Sequence, residues 1–190
     1  MLNDYLNDLE RRINPEVEDD LERQWHDFWN NNNQDELFCP KRKEASESSL
    51  KWPEININEA INDDTFELMM LKELCGYNYQ LNSAGGYAGA IRANYGTAIM
   101  PSLFGAEVYL MDAEYNTLPG SHPLSGGIDT IAGLVDAGVP DLDKGQGAQV
   151  MACTEYYLEK LKNYPKLKRY CHIYHPDLQS SFDTCEVIRG

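Results

Sequence analysis

The chain is short of basic side chains, of histidine and of long apolar runs, and each shortage excludes something. Its 16 lysines and arginines face 31 aspartates and glutamates, for a formal net charge of −15 at pH 7. Such a surface repels phosphate backbones, which argues against nucleic acid as a partner. The two basic clusters, Lys41 to Lys43 and Lys166 to Arg169, are small and read as solvated loop and helix-end charge. No apolar run approaches the roughly 18 residues that a membrane span needs. The opening MLNDYLNDLERR is too polar and acidic for a secretory leader. Five cysteines (Cys39, Cys75, Cys153, Cys171 and Cys185) include no C-x-x-C pair. Reduced thiols in the cytoplasm, acting as small buried hydrophobes, are therefore expected.

Signature motifs are scarce too. The glycine clusters GGYAG (Gly85 to Gly89) and DKGQG (Asp143 to Gly147) lack the G-x-G-x-x-G spacing and the Walker lysine, which excludes a Rossmann site and a P-loop. Both read as turns that need positive φ. No G-x-S-x-G elbow and no Cys/His pairing marks a nucleophile. His172 and His175 are three apart, which on a strand sends them to opposite faces, so they do not make a zinc site by themselves. His26 lies off its helix's apolar stripe and His122 is isolated before a proline. No metal residue is assigned.

What the sequence does hold is alternation. Leu2, Tyr5, Leu6, Leu9 and Ile13 predict a first helix, closed by Asn14-Pro15. Val17, Leu21, Trp25, Phe28 and Trp29 predict a second that packs as core and stops at Asn30 to Asn33. Gln34 to Ser49 reads as an irregular, exposed linker, and ININEAINDD as a polar passage. A third helix is expected at Thr65 to Cys75, capped by Asp63 or Asp64 and ended by Gly76. Strands are expected at Ala90 to Tyr95, Ala106 to Met111 and Arg169 to His175. Between them come a helical turn at Pro101, a polar turn at Asp112 to Asn116, and helices at Ile128 to Ala137 and Gln146 to Tyr164. The last of these is expected to bury Val150, Tyr157, Leu158 and Leu161. Ser180 with Asp183 has capping-box spacing and opens a final helix.

This is the pattern of an α/β fold with a largely parallel sheet, in which ligands sit outside the carboxyl ends of the strands. The residues placed there are Arg92, Asn94 and Tyr95 after the first strand, Asp112 after the second, and His175, Asp177 and Gln179 after the last. Arg92 has the rigid donor fork that suits a carboxylate. Asp112 suits a general acid or the charge partner of a cationic intermediate.

Three stretches resemble one family: AIRANYGTAIMPSLFGAEVYLMD, HPLSGGIDTIAGLVDAGVPDL, and the run from Gln149 to Gly190 that ends RYCHIYHPDLQSSFDTCEVIRG. Each is similar to the N-terminal half of uroporphyrinogen decarboxylase-like proteins, whose superfamily includes corrinoid-linked methyltransferases and cobalamin-independent methionine synthase. The resemblance implies a partial TIM (β/α)8 barrel, its first strands only, over residues 51–190, preceded by a helical extension and linker over residues 1–50. It implies a small-molecule substrate, with Arg92 holding its carboxylates and Asp112 doing the central work of a cofactor-free decarboxylation. The whole protein would then be a decarboxylase acting on a polycarboxylate, and this chain alone would be inactive. A methyltransferase of the superfamily would add zinc and a corrinoid, with zinc ligands in the C-terminal half. A non-catalytic binding fragment is the third reading. A homodimer, or pairing with the C-terminal half, would cover the open sheet edge.

Overall fold

A computed structural model describes residues 1–30 and 37–190. Its helices are α1 (Leu2–Arg12), α2 (Pro15–Trp29), α3 (Ile57–Ile61), α4 (Glu67–Asn82), α5 (Ile99–Leu103), α6 (Gly127–Ala137), α7 (Gly147–Leu161), α8 (Pro165–Tyr170) and α9 (Ser181–Arg189). The strands are short: β1 (Gly89–Ile91), β2 (Val108–Tyr109), β3 (Gly120–Ser121) and β4 (Cys171–Ile173). The fold is thus mixed but mostly helical, and no closed barrel forms among the described residues. β1 and β4 pair in parallel, as expected of their stretches. β2 pairs instead with β3, and antiparallel. The backbone divides into two units, one of residues 1–54, 70–91 and 157–174, the other of residues 55–69, 92–156 and 175–190.

In the first unit, α1 and α2 follow their patterns, with Leu2, Leu6, Leu9, Ile13, Val17 and Leu21 buried. Each such side chain contributes about 1.5–3 kcal/mol at most. Asn14 caps α2 by accepting from the Glu16 N–H (3.1 Å), with Pro15 at the first helical position. The aromatic end of α2 departs from expectation. Phe28 is 37% and Trp29 73% exposed, and Phe28 stacks on Phe38 (4.1 Å between centroids) as a surface cluster rather than core. Of the expected stop, Asn30 closes the helix through its N–H to the His26 carbonyl (3.1 Å). Asn31 to Asn33, and Gln34 to Glu36 of the expected linker, lie outside the described residues.

The rest of that linker is anchored by buried charge. Arg42, read from sequence as solvated, is buried and grips Glu18 with both arms of its fork (2.6 and 2.8 Å). Tyr77 donates to the same carboxylate (3.2 Å). Nearby in sequence, Arg12 donates to Asp8 (2.9 Å) and Asn78 (2.7 Å), and Ser48 donates to Asp8 (2.7 Å). A third helix ending at Gly76 is also corrected. α4 runs through Gly76, because Tyr77 and Leu81 beyond it are buried and outweigh the ~1 kcal/mol that a helical glycine costs.

The expected strand from Arg169 begins only at Cys171. Pro165 starts a helix, α8, whose Lys166 and Leu167 N–H groups donate to the two carboxylate oxygens of Glu10 (3.0 and 2.9 Å). That cap comes from α1, where no local pattern announces it. In α7 the buried stripe is Val150, Cys153, Tyr157 and Leu161, while Leu158 is 55% exposed. Cysteines are only in part the buried hydrophobes expected: Cys153 and Cys171 are buried, Cys39 and Cys185 exposed. Burial and then the Glu73 carboxylate push the Cys171 thiol up to about 12.

In the second unit, the polar passage around ININEAINDD folds as α3, with Asn56 accepting from Asn58 N–H as its cap (3.0 Å). Ile57, Ile61, Met69, Tyr95, Ile99, Leu103, Val150 and Ile188 form its core. Ser180 caps α9 by accepting from the Asp183 N–H (3.2 Å), as the spacing predicts.

Candidate functional site

The parallel pair sets the geometry. Gly89 stands opposite Cys171 and Ile91 opposite Ile173, so the chain leaves both strands at the same end. The ladder extends one bond further, from the Tyr174 N–H to the Ile91 carbonyl (3.1 Å). Glycine at 89 is what permits the approach: a Cβ there would lie 2.5 Å from the Tyr170 carbonyl and 2.7 Å from the Tyr77 ring. The GGYAG cluster therefore serves close packing at this position, whereas Gly145 of DKGQG has the positive φ (52°) that was expected.

Arg92 is the next residue after β1, and Asp177 lies four past the end of β4. Their side chains meet, Nη2 to Oδ2 at 3.3 Å, with the guanidinium 20% and the carboxylate 33% exposed. Half-buried arginine beside half-exposed carboxylate keeps the fork oriented while leaving an edge near solvent. His175 and Gln179 are in the same loop. His175 is exposed, and its Nδ1–H donates to the Pro176 carbonyl (2.8 Å). Gln179 is half-buried, and its Oε1 has no hydrogen-bond partner among the described residues. Asn94 is half-buried just past Arg92.

Two expected site residues are placed differently. Tyr95 is fully buried, and burial first, then the Cys153 thiol beside its hydroxyl, push its pKa well above the phenol's usual value. It stands as core wall rather than as a surface that ligand meets. Asp112 is exposed and caps a single 3-10 turn, Ala113–Tyr115, through its backbone. Its strand belongs to the antiparallel pair, so the three strand ends do not form one row. The structure therefore joins Arg92 and Asp177 directly, with His175 and Gln179 in Asp177's loop, and leaves Asp112 on another sheet.

The zinc that the methyltransferase reading would bring is expected on ligands of the C-terminal half, not on residues of this chain. Among the described residues no three His, Cys, Asp or Glu side chains gather as a metal cage. Sequence reasoning missed one feature here, an apolar cleft along α6 and α9. The signal was present in GIDTIAGLVDA, whose only charges are Asp129 and Asp136, a composition that asks to be covered. No helix among the described residues is long and apolar enough to cross a membrane. No family model matches the chain, and neither does any curated protein or solved structure.

Proposed function

We propose that the chain binds a small polycarboxylate through Arg92, as part of a uroporphyrinogen decarboxylase-like α/β barrel that works in the cytoplasm. The single observation that supports this reading is the Arg92–Asp177 pair at the shared end of two parallel strands. An incoming carboxylate meets a guanidinium already held in orientation and exchanges or shares its partner. In the decarboxylase, an acetate side chain on a protonated pyrrole ring loses CO2. The bond's electron pair remains on the ring system and a proton then fills the new methyl group. A carboxylate beside the ring steadies the positive charge, and Asp112 is the residue we assign to that task.

One observation favours a second reading, a binding module without catalysis: Asp112 and Arg92 leave different sheets. A fluorescence titration with uroporphyrin, the stable oxidised form of an eight-carboxylate macrocycle, tests the first step. Arg92→Gln should weaken binding about tenfold, the loss of one charge-assisted contact, and Arg92→Lys should recover part of it. Equal binding by Arg92→Gln would sink the assignment. CO2 release from the reduced macrocycle, lost in Asp112→Asn, then separates decarboxylase from binding module.

A further inference from the structure

The cleft missed from the sequence has a volume of about 1200 Å³ and lies wholly in the second unit, among α5, α6 and α9. That exceeds the roughly 300–1,000 Å³ of a pocket for one small molecule. One wall is α6, which buries none of its residues, and another is α9, through Thr184 and Ile188. Ile128, Ile131, Val135 and Gly138 all line the cleft. Their steps of three, four and three residues are the spacing of a helix seam, with Ile128, Ile131 and Val135 as its apolar knobs. Ile128 and Val135 are 76% and 74% exposed, so the outer edge of that seam is uncovered. The trough runs the length of an eleven-residue helix, about 16 Å. The i, i+3, i+4 and i+7 anchors of a docked helix span about 10 Å and fit within it.

The charge around the trough is acidic. Residues 127–145 and 181–190, which supply its α6 and α9 walls, carry Asp129, Asp136, Asp141, Asp143, Asp183 and Glu186 against Lys144 and Arg189. All six acids are exposed, and none is held in an ion pair among the described residues. Asp129 and Asp136 directly follow Ile128 and Val135 and are seven apart, which puts them on one stripe of α6. Arg189 is the one charged side chain on the lining, and it stands in the last turn of α9 rather than along the seam. It does not offset its surroundings, since the whole second unit sets three bases against 15 acids.

We propose that this trough docks a basic amphipathic helix of a partner protein. The partner's apolar side chains pack along the α6 seam, and its lysines or arginines face the flanking acids. Charge selects this occupant. A second copy of the chain would set six unpaired acids against six. An anionic membrane or amphiphile would meet the same repulsion. An uncharged ligand would leave the acids unanswered. The site is distinct from Arg92 and does not rest on the polycarboxylate reading.

Isothermal titration of the full chain with a synthetic two-heptad helix, leucine on its seam and lysine elsewhere, tests the proposal. One-to-one binding is expected. Asp129→Asn combined with Asp136→Asn should weaken it about tenfold and flatten its salt dependence. Ile128→Asn combined with Val135→Asn should weaken it about a hundredfold. All four side chains are exposed, and circular dichroism of each variant should match the parent. Four results would overturn the proposal: equal binding of the peptide with glutamate for lysine, equal binding of one with its leucines scattered, either double variant binding unchanged, or no uptake at all. So would a dimer of the chain that Ile128→Asn with Val135→Asn dissolves, which gives the trough to a second copy. Displacement of the peptide by hexadecanol, mole for mole, would give it instead to a small apolar ligand and equally overturn the assignment.

Discussion

The two units handle polar and apolar groups in opposite ways. The first buries charge in pairs, Glu18 with Arg42 and Asp8 with Arg12, and its 16 acids nearly balance 13 bases. Its helices turn their apolar stripes inward. The second unit leaves apolar α6 exposed, and 15 acids face three bases. A buried ion pair costs desolvation and adds little net stability over a good apolar packing, but it penalises every arrangement that breaks it. An exposed apolar trough adds nothing to the unit's own stability and is informative for that reason. The contrast teaches that the first unit is specified internally, while the second leaves an apolar helix face uncovered.

The largest expected effect tests the buried pairs. Arg42→Met strands the Glu18 carboxylate in the core and should cost about 3–5 kcal/mol, read as a lower urea midpoint. Adding Glu18→Leu should recover most of it, since the charge is then gone. A loss under ~1 kcal/mol in the single variant would erase the contrast. Next comes truncation of matched aliphatic residues. Leu6→Ala, from 0% exposure, should cost about 2–5 kcal/mol, whereas Val135→Ala on α6 should stay within about 0.5 kcal/mol. Equal costs by thermal melting would mean that α6 is covered. Ser180→Ala should take about 1 kcal/mol from the second unit by removing the cap of α9, with Ser180→Asp retaining it. Loss of exchange protection confined to α9 amides would confirm its locality.

The smallest effect is a pH dependence. Burial alone would raise the Asp8 carboxyl, but hydrogen bonds from Ser48, Arg12 and Arg11 outweigh it and hold its pKa below the usual aspartate range. A group depressed in the fold contributes stability above its unfolded pKa and loses it as pH falls through the folded one. Acid melting should therefore steepen below about pH 4, and Asp8→Asn should flatten that limb. An unchanged limb would take Asp8 out of the account.

Local patterns carried the helices well. α1, α2, α6 and the Ser180 cap follow from spacing, because an apolar stripe and a capping oxygen are properties of neighbouring residues. The parallel partnership of β1 and β4, and with it the meeting of Arg92 and Asp177, could be reasoned from strand ends. Three things were not legible. Arg42 looks like any loop arginine until Glu18 is beside it. That Pro165 opens a helix, α8, where only a strand from Arg169 was expected depends on Glu10, far away in sequence. The hairpin of β2 with β3 (Val108 opposite Ser121) needed a two-residue strand that no periodicity can reveal. Each is a tertiary contact overriding a local preference.

The cap that Glu10 gives α8 also has a meaning in time. Its hydrogen bonds join residues 156 and 157 apart, and the Arg169 fork onto Glu22 spans 147. During synthesis Glu10 leaves the ribosome 156 residues before Lys166, whose N–H it caps. Contacts of such separation make closure slow and leave early helices exposed meanwhile. Through that interval, α1 stands without the helix it will clasp.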